Sequence, residues 1–84
     1  MKKIKFDSTC VQWDPNDMYS MTFLKGKEQL LKMEIENRGF ITLVDIYDAI
    51  GKSYSYSDFW QLAKTVWFDP KDFHIMEVVE YERG

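Results

Sequence analysis

The sequence predicts a small single-domain α+β protein covering residues 1–84, with three helices and then a C-terminal β-hairpin. The order is winged-helix-like, with a short N-terminal strand at the edge. Three observations predict this. Two segments repeat apolar residues at i, i+3, i+4 and i+7, the spacing of one helix face. Gly39 and Gly51 stand where helices of that pattern should stop. The last third is rich in β-branched and aromatic residues and is broken by Asp69-Pro70-Lys71-Asp72, which reads as a turn.

The chain has 84 residues and a formal net charge of −3, enough for one core. Domains this small are marginal, because the entropy of ordering nearly cancels apolar burial. Six Phe, five Tyr, three Trp and five Met offset that, since each buried ring removes roughly 150–250 Å² from water. Cys10 is the one cysteine, so no internal disulfide forms, and it reads as a small buried hydrophobe in a reducing compartment. No apolar run approaches the roughly 18–20 residues needed to span a bilayer. The start, Met1 to Asp7, is basic but lacks the apolar stretch of a signal peptide. These features describe a soluble, cytoplasmic protein.

Lys3 to Asp7 alternate charged residues with Ile4 and Phe6, the period of a half-buried strand, and the lysines suit a sheet edge. Asp14-Pro15-Asn16-Asp17 opens a long helix, with Asp14 as its cap, or the helix begins at Ser20. Phe23, Leu24, Leu30, Leu31 and Ile35 recur along it at helical spacing. Glu28/Lys32 and Glu34/Arg38 are i,i+4 pairs in the favourable order. Gly26 weakens the helix by about 1 kcal/mol relative to alanine, and Gly39 ends it.

Thr42-Leu43-Val44-Asp45 is a capping-box variant, followed by the helix face Leu43, Ile46, Tyr47 and Ile50 and the stop Gly51. Ser55-Tyr56-Ser57-Asp58 is a second capping box. It opens a third helix whose face is Phe59, Leu62, Ala63 and Val66. Val66 to Phe68 and Phe73 to Tyr81 read as the two strands of an antiparallel hairpin, and Glu82-Arg83-Gly84 as a fraying tail. A second arrangement uses the same elements: three helices on a small sheet, with the first strand paired to the last.

A winged helix often reads DNA through its third helix. Here that helix offers Ser57, Asp58, Gln61 and Lys64 to solvent, without an arginine to pair with guanine. The hairpin tip is net negative where a wing would approach phosphate. The cations Lys2, Lys3, Lys5, Lys25, Lys27 and Lys32 are at the amino terminus or interleaved with acids. The charge pattern therefore argues against nucleic acid. No Cys/His pair has zinc spacing, and a strand would send His74 and Glu77 to opposite faces. The acids Asp14, Asp17, Asp69 and Asp72 are explained by caps and turns. No catalytic, cofactor-binding or metal-ligating set emerges, no small molecule is indicated, and the chain reads as a non-enzyme.

The remaining signal is aromatic. Tyr54, Tyr56 and Trp60 lie before or beside the apolar face of the third helix. Burying all three would need apolar cover on two sides of a short helix, so at least one is expected to stay exposed. Tyr and Trp are enriched at interface hot spots, which makes these three the candidate partner-binding residues. Their alternative role is core.

Gly39-Phe40-Ile41-Thr42-Leu43-Val44-Asp45-Ile46-Tyr47-Asp48-Ala49-Ile50-Gly51 resembles a segment of many short phage and prophage proteins of unknown function. Those proteins share the glycine, a β-branched residue, Ser or Thr, an acid, Tyr-Asp and a closing glycine. A Gly-Trp pair that they often carry soon afterwards is absent here, with Trp67 a loose counterpart. The resemblance covers roughly residues 37–51 and implies an accessory protein of a mobile element, without a catalytic residue. The function expected first is thus a small protein-interaction module, acting on a protein partner or by self-association. The alternatives are a winged-helix transcription regulator and an acidic inhibitor of a nucleic-acid-binding enzyme.

Overall fold

A computed structural model describes residues 3–83; Met1, Lys2 and Gly84 lie outside the described residues. The element order is β1 (Ile4–Phe6), α1 (Asp17–Arg38), β2 (Ile41–Thr42), α2 (Leu43–Ile50), a 3-10 turn (Tyr56–Asp58), α3 (Phe59–Ala63), β3 (Val66–Trp67), a second 3-10 turn (Pro70–Asp72), α4 (Ile75–Val78) and β4 (Val79–Tyr81). The α+β class is the one expected, with a fourth, single-turn helix added.

β1 buries Ile4 and Phe6 and turns Lys5 outward. It pairs in parallel with β4 in the register Ile4/Val79, Lys5/Glu80 and Phe6/Tyr81. The first strand is thus joined to the last, as in the second arrangement. Lys5 reaches Glu80 at 2.9 Å and Glu82 at 2.6 Å. Glu82 does not fray: its N–H donates to the Phe6 carbonyl at 3.0 Å, and its own carbonyl accepts Trp13 Nε1 at 2.8 Å. Arg83 adds an ion pair to Asp17.

The cap of α1 is Asn16, rather than Asp14 or Ser20. Its side chain accepts the Tyr19 N–H at 3.1 Å, while Asp14 accepts the Asn16 N–H at 2.8 Å in a turn one step earlier. Ser20 is fully buried, and its hydroxyl donates to the Asp14 carbonyl at 2.7 Å. Gly39 closes the helix in the left-handed conformation (φ 97°), with its N–H on the Ile35 carbonyl. The expected i,i+4 pairs along α1 do not form. Arg38 pairs with Asp45 at 2.7 Å, and Glu28 accepts the backbone N–H of Ile75 at 2.7 Å. Glu28 serves a buried backbone N–H, which outweighs an exposed pair worth a few tenths of a kcal/mol.

α2 follows its sequence pattern closely. Leu43, Ile46 and Ile50 are buried and Tyr47 half-buried. Thr42 and Asp45 form the capping box, in which Asp45 accepts the Thr42 N–H at 2.7 Å and its hydroxyl at 3.3 Å. Gly51 ends the helix at φ 72°.

The C-terminal hairpin is the correction. β3 pairs antiparallel with β2, Ile41 opposite Trp67 and Thr42 opposite Val66, and not with the chain that follows it. Asp69 accepts the Lys71 N–H at 2.9 Å and closes the second 3-10 turn. Phe73 then plunges into the core, its ring edge-on to Trp67 at 5.5 Å. Ile75 and Val78 are both buried. Positions three apart share a side on a helix but oppose each other on a strand, so burying both selects the helical turn α4. From α1 to β3 the order stays compatible with a winged helix, and the segment expected as its second wing strand instead becomes α4 and the partner of β1.

The core joins Ile4 and Phe6 of β1, Leu24 and Ile35 of α1, Ile46 and Ile50 of α2, Phe73, and Val79 of β4. The molecule measures 33 × 29 × 19 Å. Its shortest dimension holds about two layers of packed secondary structure, which leaves a single thin interior for many rings.

Candidate functional site

α3 rests on that interior without entering it. None of Phe59–Ala63 is fully buried; Leu62 and Ala63 are half-covered against α2. The face Phe59, Leu62, Ala63 and Val66, expected to pack fully, is therefore only partly covered. The cause is length. α3 has five residues, and Val66 belongs to β3.

The three candidate residues are placed differently. Tyr54 is half-buried in the loop after α2, whereas Tyr56 is 91% and Trp60 69% exposed. Tyr54 stands edge-on to Tyr47 of α2, centroids 5.8 Å apart, and tilts against Phe59 at 6.4 Å. Phe59 in turn meets Trp60 edge-on at 5.5 Å. The geometry is a ladder of rings, Tyr47–Tyr54–Phe59–Trp60, rising from the α2 surface into solvent. Offset and edge-on pairs of this kind contribute about 0.5–1.5 kcal/mol each beyond area burial. Tyr56 forms no ring pair among the described residues and stands beside the ladder on the 3-10 turn.

By periodicity Tyr47 and Phe59 belong to the apolar faces of α2 and α3; their place in the ladder comes from the packing of the loop between them. The signal was present. Tyr47 lies on the α2 face one turn before the stop at Gly51, and Phe59 directly precedes Trp60.

The electrostatics around the ladder are mild. The Ser55 hydroxyl donates to Asp58 at 2.7 Å and lies 3.0 Å from the Ser57 hydroxyl, which organises the turn that presents Tyr56. Burial pushes the Tyr47 phenol up from its ordinary value, and the Asp58 carboxylate adds to the shift. Gln61 and Lys64 are exposed on α3. Lys52 is turned away, its ammonium donating to the Lys5 carbonyl at 2.8 Å. The surface thus offers apolar ring faces, phenol and indole hydrogen-bonding groups, one amide and one cation.

Elsewhere, the Cys10 thiol is buried and directed at the Lys5 carbonyl at 3.6 Å. Among the described residues no group of three or more His, Cys, Asp or Glu is arranged to hold a metal ion. No helix among them is long and apolar enough to cross a membrane. No protein-family model, curated protein or solved structure matches the chain.

Proposed function

We propose that this chain is a non-enzymatic, cytoplasmic protein-interaction module, of the phage- or prophage-type accessory kind, and that Tyr54, Tyr56, Phe59 and Trp60 form its partner surface. The observation that carries the reading is the exposed indole of Trp60 on a rung of rings reaching back to Tyr47. A supported ring is already ordered, so binding it costs little entropy. A protein partner with an apolar pocket and a few polar acceptors fits this surface better than nucleic acid does. Phosphate binding needs several cations, and the ends of α3 expose one cation, Lys64, and one acid, Asp58.

The test uses the immobilised full chain, with Trp60→Ala and Tyr56→Ala variants beside it, against extract of the source cell. Proteins retained by the original chain should be lost from Trp60→Ala while it stays folded with nearly the same thermal midpoint. Equal retention by all three proteins removes this surface from the account.

A further inference from the structure

A lateral face of α1 is a second surface, independent of the aromatic ladder. Tyr19, Phe23, Gly26, Leu30, Met33 and Asn37 recur along it at alternating steps of four and three, the spacing of a helix–helix seam. The neighbouring face of the same helix is the one in the core, with Ser20, Leu24, Leu31 and Ile35 buried, and Phe23 at the border between the two stacks on Phe6 at 5.7 Å. Tyr19, Leu30 and Met33 are 61%, 56% and 54% exposed. Between α1 and α2 the seam opens into a groove walled by Leu30, Met33 and Asn37 on one side and Asp48 and Ala49 on the other.

Gly26 is at the middle of this seam. A Cβ there would meet nothing within 4 Å, and its φ is not positive. Neither crowding nor backbone strain within the chain calls for glycine, yet the helix bears glycine's cost in propensity. A bare position on a seam is what close approach by another helix uses.

Charge selects that helix. Lys25 and Lys27 precede the seam's centre, and Glu34 and Glu36 follow it; none of the four forms an ion pair among the described residues. A two-fold axis passing between Leu30 and Leu31 carries Lys27 onto Glu34 and Lys25 onto Glu36. Lys27 and Glu34 flank the seam on one side, so that pair is complementary to itself, and Lys25 and Glu36 lie farther round the helix on the other side. We infer that the α1 face binds a second copy of this chain, antiparallel, in a two-fold symmetric dimer. In such a pair each flank of the seam meets the same flank of the other copy, and Lys27 and Glu34 share a flank. The same axis sets Met33 of one copy at the height of Glu28 in the other, between Leu30 and the space left by Gly26.

Sedimentation equilibrium of the full chain, across micromolar to millimolar concentration, tests the inference. The expected result is a monomer–dimer equilibrium abolished by Leu30→Glu and left intact by Trp60→Ala, with circular dichroism verifying that each variant is folded. Lys27→Glu and Glu34→Lys should each weaken the dimer, by roughly tenfold because symmetry repeats the pair twice. The double variant Lys27→Glu/Glu34→Lys should restore it. A chain monomeric throughout, a dimer indifferent to Leu30→Glu, or a double swap as weak as the single ones would overturn the proposal. A dimer lost with Trp60→Ala would move self-association to α3 and overturn it equally, while leaving the ladder as an interaction surface.

Discussion

The Glu28 carboxylate accepts the backbone N–H of Ile75 at 2.7 Å, joining positions 47 residues apart. α4 has a single turn, and its cap residue, His74, supplies no side-chain hydrogen bond. Glu28 therefore caps from a distance what the local chain leaves open. Ile75 is 1% exposed, so water cannot take over the role.

Glu28→Ala should leave that N–H unpaired and cost about 1–3 kcal/mol. Glu28→Gln, which keeps an acceptor oxygen, should cost less. Urea melts of the three proteins check the order, and equal midpoints would show that α4 does not need this cap.

At the start of α2, one carboxylate does most of the capping. Asp45 accepts from the Thr42 N–H, the Thr42 hydroxyl and Arg38. Thr42→Val removes only the hydroxyl and should cost about 1 kcal/mol. Asp45→Ala removes all three bonds and should cost more, about 2 kcal/mol. Denaturant melts that reverse this order would contradict the geometry.

Three glycines should respond to alanine in three ways. Gly26→Ala has open space and an ordinary helical φ, and should stabilise the isolated chain by up to about 1 kcal/mol. Gly39→Ala meets no neighbour but must hold φ 97°, a left-handed strain of about 1–2 kcal/mol. Gly51→Ala carries the same kind of strain, and its Cβ would sit 3.0 Å from Val11 Cβ, so it should be the most damaging. Thermal midpoints at low protein concentration, where the chain is monomeric, give the ranking.

Exposure separates the large rings by consequence. Phe73 is fully buried, and Phe73→Ala should cost about 3–5 kcal/mol. Trp60 is 69% exposed and held by its edge-on pair with Phe59, so Trp60→Ala should cost no more than about 1 kcal/mol. A large loss for Trp60→Ala would place the ladder in the core and not at a partner surface.

The pairing of β1 with β4 predicts an acid response. Hydrogen bonding to Lys5 holds Glu80 below its ordinary value of 4.5. A depressed carboxylate contributes stability that is present above the unfolded value and is lost as pH falls through the folded one. The stability of the protein should therefore decline below about pH 4.5. Lys5→Met should flatten that part of the profile. Lys5 is itself raised by Glu82 and Glu80, so its deprotonation lies above the pH range where the fold is normally studied. Urea midpoints from pH 7 to pH 3 check the slope; identical profiles would remove the pair from the account.

Relations among neighbouring residues are legible in the chain alone. Gly39 and Gly51 close their helices, Thr42 and Asp45 open α2, and the α2 face buries the residues its periodicity selects, because caps and amphipathic faces are relations within about four positions. Tertiary structure decided what depends on distant partners. Val66–Trp67 is extended either way, but its pairing to Ile41–Thr42 is a choice among strands. Ile75–Val78 has strand-forming composition and becomes a helical turn because Glu28 caps it and the core takes both Ile75 and Val78. The rings of α3 carry one composition for core and surface alike. A molecule 19 Å across at its thinnest has one interior between two layers; Phe6, Phe73 and the aliphatic residues of α1 and α2 fill it, and Trp60 is left outside because no further layer covers it.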